Sequence, residues 1–435
     1  MGADGSAAAL PGAVALRDRL AAGALRASEL AETLLKRIET LEPEIGAWAW
    51  LDPDDVRRQA KALDAHRATG RPIGPLHGLP VGLKDVIDVA RIPCENGCAL
   101  DAGRVPDEDA WLVKRLRAAG ALIMGKTVST ELAYMHAGKT RNPHDPARTP
   151  GGSSSGSAAA VAAGMVPLAV GTQTGGSVIR PAAFCGVTGF KPSFGAIPRT
   201  GVLMQSHTLD TVGVFATDPE GAALLAEPLF GWDERDPATR PAPPPRLLET
   251  ARAAPPLPPL FAFVKPPGWE ERAETATKEA FAELTGRLGE RCFEVTLPSI
   301  FDEVAALRAR INFAEMAHYY RRYARIGLDR LGAVTRKALE DGAATSASDY
   351  LAALDWRAPL HAGISEILGR CDAILCPAAC GPAPIGLEYT GDAIFNGLWT
   401  WLGTPAVTVP LFSSPEGLPM GAQLIGARGD DGRLL

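Results

Sequence analysis

Two glycine- and serine-rich turns on either side of an alanine-rich stretch constrain this sequence more than any other feature. The first turn covers residues 151–157 (GGSSSGS) and the second covers residues 171–177 (GTQTGGS). Glycine tolerates backbone conformations that let successive N–H groups converge on one point, whereas the alanine-rich stretch favours a helix. The order predicts a turn, a helix from Ser157, a buried strand at 166–170 and then the second turn.

The rest of the chain alternates helical and strand-like patterns. Apolar side chains at helical spacing predict helices, the first capped by Ser28, at residues 28–41, 54–65, 111–119 and 302–325. Short apolar runs predict strands at residues 81–89, 121–124, near 187, at 262–264 and at 406–409. Nine prolines between residues 237 and 259 predict a surface connection without regular structure. Because helices and strands alternate, we expect an α/β fold.

Charge and cysteine content exclude several classes of function. The 44 basic and 50 acidic side chains give a net charge of -6, so there is no basic field to attract nucleic acid or anionic lipid. No run reaches the ~18 apolar residues that would span a membrane. Seven cysteines without dense spacing predict reduced thiols and a cytoplasmic protein, and no Cys or His pair has zinc-site spacing. We expect a small neutral partner and neither metal nor cofactor.

The second turn has the residue types that acyl transfer requires. Backbone N–H groups in such a turn can hold the negative oxygen of a tetrahedral intermediate. The groups in position to do so belong to Thr174, Gly175, Gly176 and Ser177. The absence of a following lysine argues against a phosphate-binding turn.

A serine nucleophile needs a base, and Lys84 is the candidate. It is the only basic residue in the apolar run 81–89, and burial disfavours the charged ammonium form. The alternative is an ion pair of Lys84 with Asp85 or Asp88, and the residues alone leave both interpretations open.

Two other pattern matches are accidental. Residues 120–127 match a phosphate-binding loop, but a predicted helix precedes them and the intervening residues are themselves strand-like. Residues 152–156 match G-x-S-x-G, but a polar, proline-rich loop takes the place of the buried strand that this motif follows.

Four segments together resemble the amidase signature family. They are GLPVGLKD ending at Asp85, TPGGSS ending at Ser154, GTQTGGS ending at Ser177, and GFKP ending at Pro192. The resemblance runs from about residue 28 to the end. It implies a three-layer α/β/α fold with a large mixed, twisted central sheet and a triad of Ser177, Ser153 and Lys84, with a cis peptide at Ser153. Ser154 and Arg180 are expected to support the triad.

The resemblance also implies a division of the chain. We expect residues 1–70 to form a helical segment packing on the core or on a partner, and residues 71–435 to form the core. A helical substrate entrance is expected at about 300–365. The candidate pocket residues are Met204, Gln205, Phe313, Tyr319 and Tyr320.

This sequence departs from the common family pattern at three positions. Gln173 stands where many relatives have Asp, Ser155 stands where they often have Gly, and Arg180 lies one position later than usual. We also expect a C-terminal closing helix to be missing after Leu435.

The resemblance implies a hydrolase of carboxamides, anilides or carbamates that needs no cofactor and acts as a monomer or homodimer. The alternative is a glutamine-hydrolysing amidotransferase A-type subunit that acts in a complex. A third interpretation is a catalytically silent binding protein with the same fold.

Overall fold

Eleven strands form one mixed sheet in the computed structural model, which describes residues 10–435. In chain order the strands β1 to β11 are Trp48–Trp50, Pro80–Lys84, Leu122–Thr127, Leu168–Gln173, Thr188–Lys191, Thr211–Ala216, Phe261–Lys265, Cys292–Thr296, Ala373–Pro377, Ala406–Ser413 and Pro419–Ile425. Their spatial order is β1-β3-β2-β4-β6-β5-β10-β11-β9-β7-β8. Strand β2 is parallel to β3 and β4, strand β7 is parallel to β8 and β9, and the other neighbours are antiparallel.

Helices surround this sheet and complete the architecture. In chain order the helices α1 to α17 are Ala13–Ala22, Ala27–Ile45, Pro53–Ala68, Trp111–Ala118, Ser155–Ala162, Ile179–Cys185, Pro219–Ala226, Leu247–Arg252, Trp269–Arg272, Thr275–Leu288, Val304–Tyr319, Arg321–Gly327, Ala333–Ala344, Ala347–Asp355, Arg357–Leu368, Gly397–Leu402 and Asp431–Leu434. The predicted α/β/α class with a large mixed sheet is confirmed. Within residues 10–435 no helix has the length and apolarity needed to cross a bilayer.

The N-terminal segment predicted over residues 1–70 is only partly helical. Its residues 1–9 lie outside the described part of the chain, and β1 pairs with β3 at the edge of the sheet. The prediction that Ser28 caps the first helix is wrong, because α2 already begins at Ala27. The N–H groups of Ala27 and Ser28 donate to the carboxylate of Asp64 on α3 at 2.7 and 3.1 Å, and the N–H of Arg26 donates to the carboxylate of Glu29 at 3.0 Å.

Two further predictions about elements require correction. Helix α8 interrupts the proline-rich stretch 237–259, because Leu247 packs into the core and no proline lies between residues 246 and 254. The single helix predicted over 302–325 is two helices, α11 and α12, which meet at Tyr320. The buried hydroxyl of Tyr320 donates to the carbonyl oxygen of Leu132 at 2.8 Å, and this contact fixes the position of the break.

Candidate active site

The strand that carries Lys84 ends at that residue and does not continue to residue 89 as predicted. The N–H groups of Val86 and Ile87 turn back to the carbonyl oxygen of Lys84 at 2.8 and 3.0 Å. The apolar run that follows is therefore buried as a loop. Lys84 consequently lies at the carboxyl end of β2, where the parallel neighbour β4 leads into the second glycine turn.

The Lys84 side chain is fully buried and points at hydroxyl groups. Its Nζ donates to Ser153 Oγ at 2.7 Å and to Thr172 Oγ1 at 2.8 Å. Burial lowers the pKa of Lys84 to about 7, and the nearby Asp210 charge opposes part of that shift. At neutral pH a substantial fraction of this amine is uncharged and able to accept a proton.

The alternative of an ion pair between Lys84 and Asp85 or Asp88 is wrong. The Asp85 carboxylate accepts from Lys126 Nζ at 2.9 Å, and the Asp88 carboxylate pairs with Arg104 at 2.7 Å. Lys84 itself forms no ion pair with any residue between 10 and 435. Its amine is therefore held by neutral partners alone.

The first glycine turn brings Ser153 to this amine. The peptide bond between Gly152 and Ser153 is cis, as the family resemblance implied. Helix α5 begins at Ser155, two residues earlier than predicted, and the Ser155 hydroxyl donates to the carbonyl oxygen of Gly151 at 2.7 Å. This contact gives the departure at residue 155 a role within the turn.

Ser154 links the two glycine turns. Its hydroxyl donates to the carbonyl oxygen of Thr172 at 3.2 Å and accepts from the N–H of the same residue at 3.3 Å. Its backbone N–H points to the carbonyl oxygen of Ser177 at 3.4 Å. The turns that carry Ser153 and Ser177 are therefore direct neighbours.

The second turn leaves its N–H groups available. Strand β4 extends to Gln173, three residues further than predicted, and the turn fills the gap before α6. Among the described residues, none accepts a hydrogen bond from the backbone N–H groups of Thr174, Gly175, Gly176 and Ser177. Unpaired N–H groups in a turn beside a cavity are the donors that an oxyanion requires.

Side chains from two places, Gln173 and Thr400, hold this turn in shape. The Gln173 amide oxygen accepts from the N–H groups of Val178 and Ile179 at 2.8 and 3.0 Å, at the start of α6. The Thr400 hydroxyl donates to the carbonyl oxygen of Gly175 at 2.7 Å. Gln173, where many relatives have Asp, is thus part of the helix cap.

Asp210 connects the second turn to the loop at 204–206. Its carboxylate accepts from the Thr174 hydroxyl at 2.5 Å and from the N–H groups of Gln205 and Ser206 at 2.7 and 2.9 Å. Burial raises the pKa of this carboxyl. Asp210 was not predicted as a site residue, because nothing in its local sequence distinguishes it from an ordinary loop residue.

Arg180 supports the first turn from behind. Its Nη2 donates to the carbonyl oxygen of Gly152 at 2.7 Å, and its Nε donates to the carbonyl oxygen of Thr390 at 2.7 Å. Burial lowers the pKa of this guanidinium to about 10.

A cavity of about 190 Å³ lies beside Ser177. Of the predicted pocket residues, Gln205 and Phe313 line it, and Met204 lines a smaller neighbouring cavity. Tyr319 and Tyr320 line neither of these cavities. Tyr320 is instead a core residue in an apolar cluster, and the Tyr319 ring packs against His207.

A second buried lysine has a similarly low pKa but different chemistry. Burial lowers the pKa of Lys191 to about 7. Its Nζ donates to the carbonyl oxygens of Pro192 and Thr404. A carbonyl has no proton to pass on, whereas a hydroxyl has one, so the hydrogen-bond partners distinguish Lys84 from Lys191.

The comparison with known families covers almost all of the described chain. The Amidase family model matches residues 29–435. The chain belongs to the amidase family. The resemblance seen in the motifs is confirmed, and the protein is an amidase-family enzyme that acts on carbon–nitrogen bonds.

Two curated relatives of this amidase-family chain have the same name. The A-type subunit of glutamyl-tRNA(Gln) amidotransferase from Chloroflexus aurantiacus is 34% identical, over 96% of this chain and 93% of the relative. The protein of the same name from Symbiobacterium thermophilum is 36% identical, over 95% and 92%.

Solved structures add two other kinds of relative. A chain of a vestigial protein complex, related to the evolutionary origins of an s-triazine catabolic enzyme, has a TM-score of 0.89 and 27% identity, over 97% of this chain and 96% of its own length. The peptide amidase from Stenotrophomonas maltophilia has a TM-score of 0.84 and 29% identity, over 97% and 94%.

Proposed function

We propose that this enzyme hydrolyses the C–N bond of a small carboxamide through an acyl-enzyme on Ser177, with Lys84 as the base acting through Ser153. The main support is the Lys84 amine, which lies 2.7 Å from Ser153 Oγ, has a pKa of about 7 and lacks an acidic partner. A base poised near the working pH is the most effective at removing a proton from a hydroxyl.

In the first half of the reaction, neutral Lys84 accepts the Ser153 hydroxyl proton while Ser153 accepts the proton of Ser177. The Ser177 oxygen attacks the carbonyl carbon, and the N–H groups of the second turn hold the resulting oxyanion. Protonated Lys84 then returns its proton through Ser153 to the leaving nitrogen. The C–N bond breaks, the amine leaves and an ester on Ser177 remains.

In the second half, water takes the place of the Ser177 hydroxyl. Its proton passes through Ser153 to Lys84 as the oxygen attacks the ester carbon. The intermediate collapses by breaking the bond to Ser177 Oγ, and protonated Lys84 returns the proton through Ser153 to that oxygen, which releases the carboxylic acid and restores the Ser177 hydroxyl. The cycle consumes one water and needs no other reactant.

A glutamine-hydrolysing A-type subunit is the second candidate, and the curated relatives favour it over the stand-alone hydrolase. They are named as amidotransferase subunits, and one structural relative comes from a protein complex. Support for the broader substrate range of anilides and carbamates comes only from the motif resemblance. Both candidates use the same Ser177 chemistry.

A fluorophosphonate probe followed by mass spectrometry tests the nucleophile. We expect labelling of Ser177 in the wild type and neither labelling nor amide turnover in Ser177→Ala. Ser365→Ala, an exposed serine on α15, is the matched control and keeps both signals. Undiminished turnover by Ser177→Ala would rule the proposal out, as would the absence of labelling in a folded wild type.

A further inference from the structure

The charges around the cavity beside Ser177 do not balance. Three side chains of charged residue types, Arg180, Arg308 and Asp392, line it. The Asp392 carboxylate already accepts hydrogen bonds from Arg272 and from the N–H of Ile394, so its charge is compensated from outside the cavity. Two positive charges remain that face the cavity without an acidic partner of their own.

Arg308 is the less satisfied of the two arginines. It lies on α11, and its guanidinium packs against two glycines: a Cβ built on Gly175 would lie 3.4 Å from Arg308 Nη1, and one built on Gly397 would clash with Arg308 Nε. It forms no hydrogen bond or ion pair with any residue in the described range 10–435. Burial lowers its pKa. Arg308 is half-buried, and a cation that lines a cavity without an acidic partner points to a ligand that supplies the counter-charge.

Arg180 carries a second unpaired donor, buried beside the second turn. Its side chain is 1% exposed, and although Nε and Nη2 donate to carbonyl oxygens, its Nη1 has no partner. A Cβ on Gly176 would lie 2.9 Å from this Nη1, so the free N–H group lies against the second turn, as Arg308 does. Buried polar groups normally have partners, and an unpaired one beside a nucleophile requires an explanation.

We infer that the substrate carries a carboxylate, and that Arg308 binds it next to Ser177 with the free Nη1 of Arg180 reinforcing the positive field. The inference deepens the proposed function and rests on it. Guanidinium groups bind carboxylates in a planar, two-pronged geometry. The cavity volume of about 190 Å³ lies below the roughly 300–1,000 Å³ of pockets for drug-sized ligands, so we place the carboxylate only a few bonds from the scissile carbonyl. Such a substrate would be charged, unlike the small neutral partner expected from the sequence.

A matched substrate pair tests the inference by catalysis. Glutaramate and its methyl ester share the same primary amide and differ in the negative charge. We expect wild-type kcat/KM for amide cleavage to be at least about tenfold higher for glutaramate, and Arg308→Gln to lower it about a hundredfold with less than about threefold change for the ester. Arg310→Gln, an exposed arginine on the same helix, is the control and changes neither. Equal loss on both substrates, or no preference in the wild type, would refute the inference.

A binding measurement separates this inference from the proposed function. Calorimetric titration of glutaramate into Ser177→Ala measures binding without turnover. We expect the additional change Arg308→Gln to raise Kd about tenfold or more, and Arg310→Gln to leave it unaltered. Unchanged Kd in the Arg308 variant refutes carboxylate binding, even if amides are hydrolysed. Arg308-dependent binding with no amide hydrolysis by the wild type supports the anion site and refutes the proposed function instead.

Discussion

Three lysines in this protein are fully buried, and their partners decide what each can do. Lys126 forms an ion pair with Asp85, Lys191 donates to carbonyl oxygens, and Lys84 donates to the hydroxyls of Ser153 and Thr172. A carboxylate keeps an amine charged and a carbonyl cannot relay a proton, whereas a hydroxyl can both accept and donate. Only Lys84 has the surroundings of a general base.

Replacing Lys84 by Met should remove the base while filling the buried space. We expect kcat/KM for amide hydrolysis to fall by roughly 10²–10⁴. Lys191→Met is the matched control, since it removes another buried lysine of similarly low pKa. It should lower the unfolding midpoint in denaturant but leave kcat/KM of the folded fraction within about threefold. A Lys84→Met enzyme with wild-type kcat/KM would contradict the proton relay.

The pH dependence of catalysis should reflect the depressed pKa of Lys84. The uncharged amine is the active form, so kcat/KM should rise about tenfold per pH unit below pH about 7 and level off above it. A lysine with its ordinary pKa would move that plateau to pH about 10. Steady-state rates across this range, on a neutral amide substrate, check the prediction, and a profile that still rises steeply above pH about 9 would contradict it.

At the level of elements, the start of α6 holds the second turn, which carries Ser177. Helix α6 has only seven residues, so little intrinsic helical stability supports it, and Gln173 caps it from the end of β4. The carboxyl end of a strand, a glycine turn and the amino end of a helix thus form one unit. Disturbing the cap should therefore move the N–H groups that surround the oxyanion.

Gln173→Leu keeps the size of the side chain and removes the cap. We expect the free energy of unfolding to fall by about 1–3 kcal/mol, because two buried N–H groups lose their acceptor, and kcat to fall as well. Gln59→Leu is the control. The Gln59 amide forms hydrogen bonds with the backbone N–H and carbonyl oxygen of Ile123 on β3, so this change should lower stability without a change in kcat. Denaturant titration together with initial rates measures both, and an unchanged kcat in Gln173→Leu would show that the cap does not position the turn.

Tyr320, the residue at the break between α11 and α12, packs in the core and does not line the cavity beside Ser177. Tyr320→Phe removes only the hydroxyl that donates to Leu132. We expect a loss of stability of about 1 kcal/mol and kcat/KM within about twofold of wild type for every amide tested. A change in KM for one substrate alone would instead indicate that Tyr320 lines the substrate pocket.

At the level of the whole molecule, the sheet joins two stretches of chain that contribute to one site. The pairing of β5 with β10 connects the strands around the glycine turns to the C-terminal strands. Thr400 on α16 and Arg308 on α11 then reach the second turn from the C-terminal half. The site therefore depends on assembly of the complete sheet, although Lys84, Ser153 and Ser177 all lie in the N-terminal half of the chain.

The amide-hydrolysing activity of the isolated chain should show whether a partner subunit is needed. Lys84, Ser153, Ser177 and the second turn all belong to this chain, so we expect the purified protein to hydrolyse glutaramate or L-glutamine alone. Turnover that appears only after co-expression with a second chain, while the isolated protein is folded by circular dichroism, would support the A-type subunit in place of the stand-alone enzyme.

Local sequence by itself determined the alternation of helices and strands, the two glycine turns and the burial of Lys84 in an apolar run. These features depend on neighbours a few residues apart, since glycine, proline and apolar periodicity act over one or two turns of chain. Together with the motif resemblance, these features predicted a triad of Ser153, Ser177 and Lys84.

Tertiary structure alone decided which residues contact the helix ends, the buried charges and the second turn. Asp64 caps a helix from another element, Asp85 pairs with Lys126 and not with Lys84, and Asp210 and Arg308 reach the second turn from distant parts of the chain. Hydrogen bonds and charges act over a few ångströms in space, and the packing of the whole sheet sets which residues come that close.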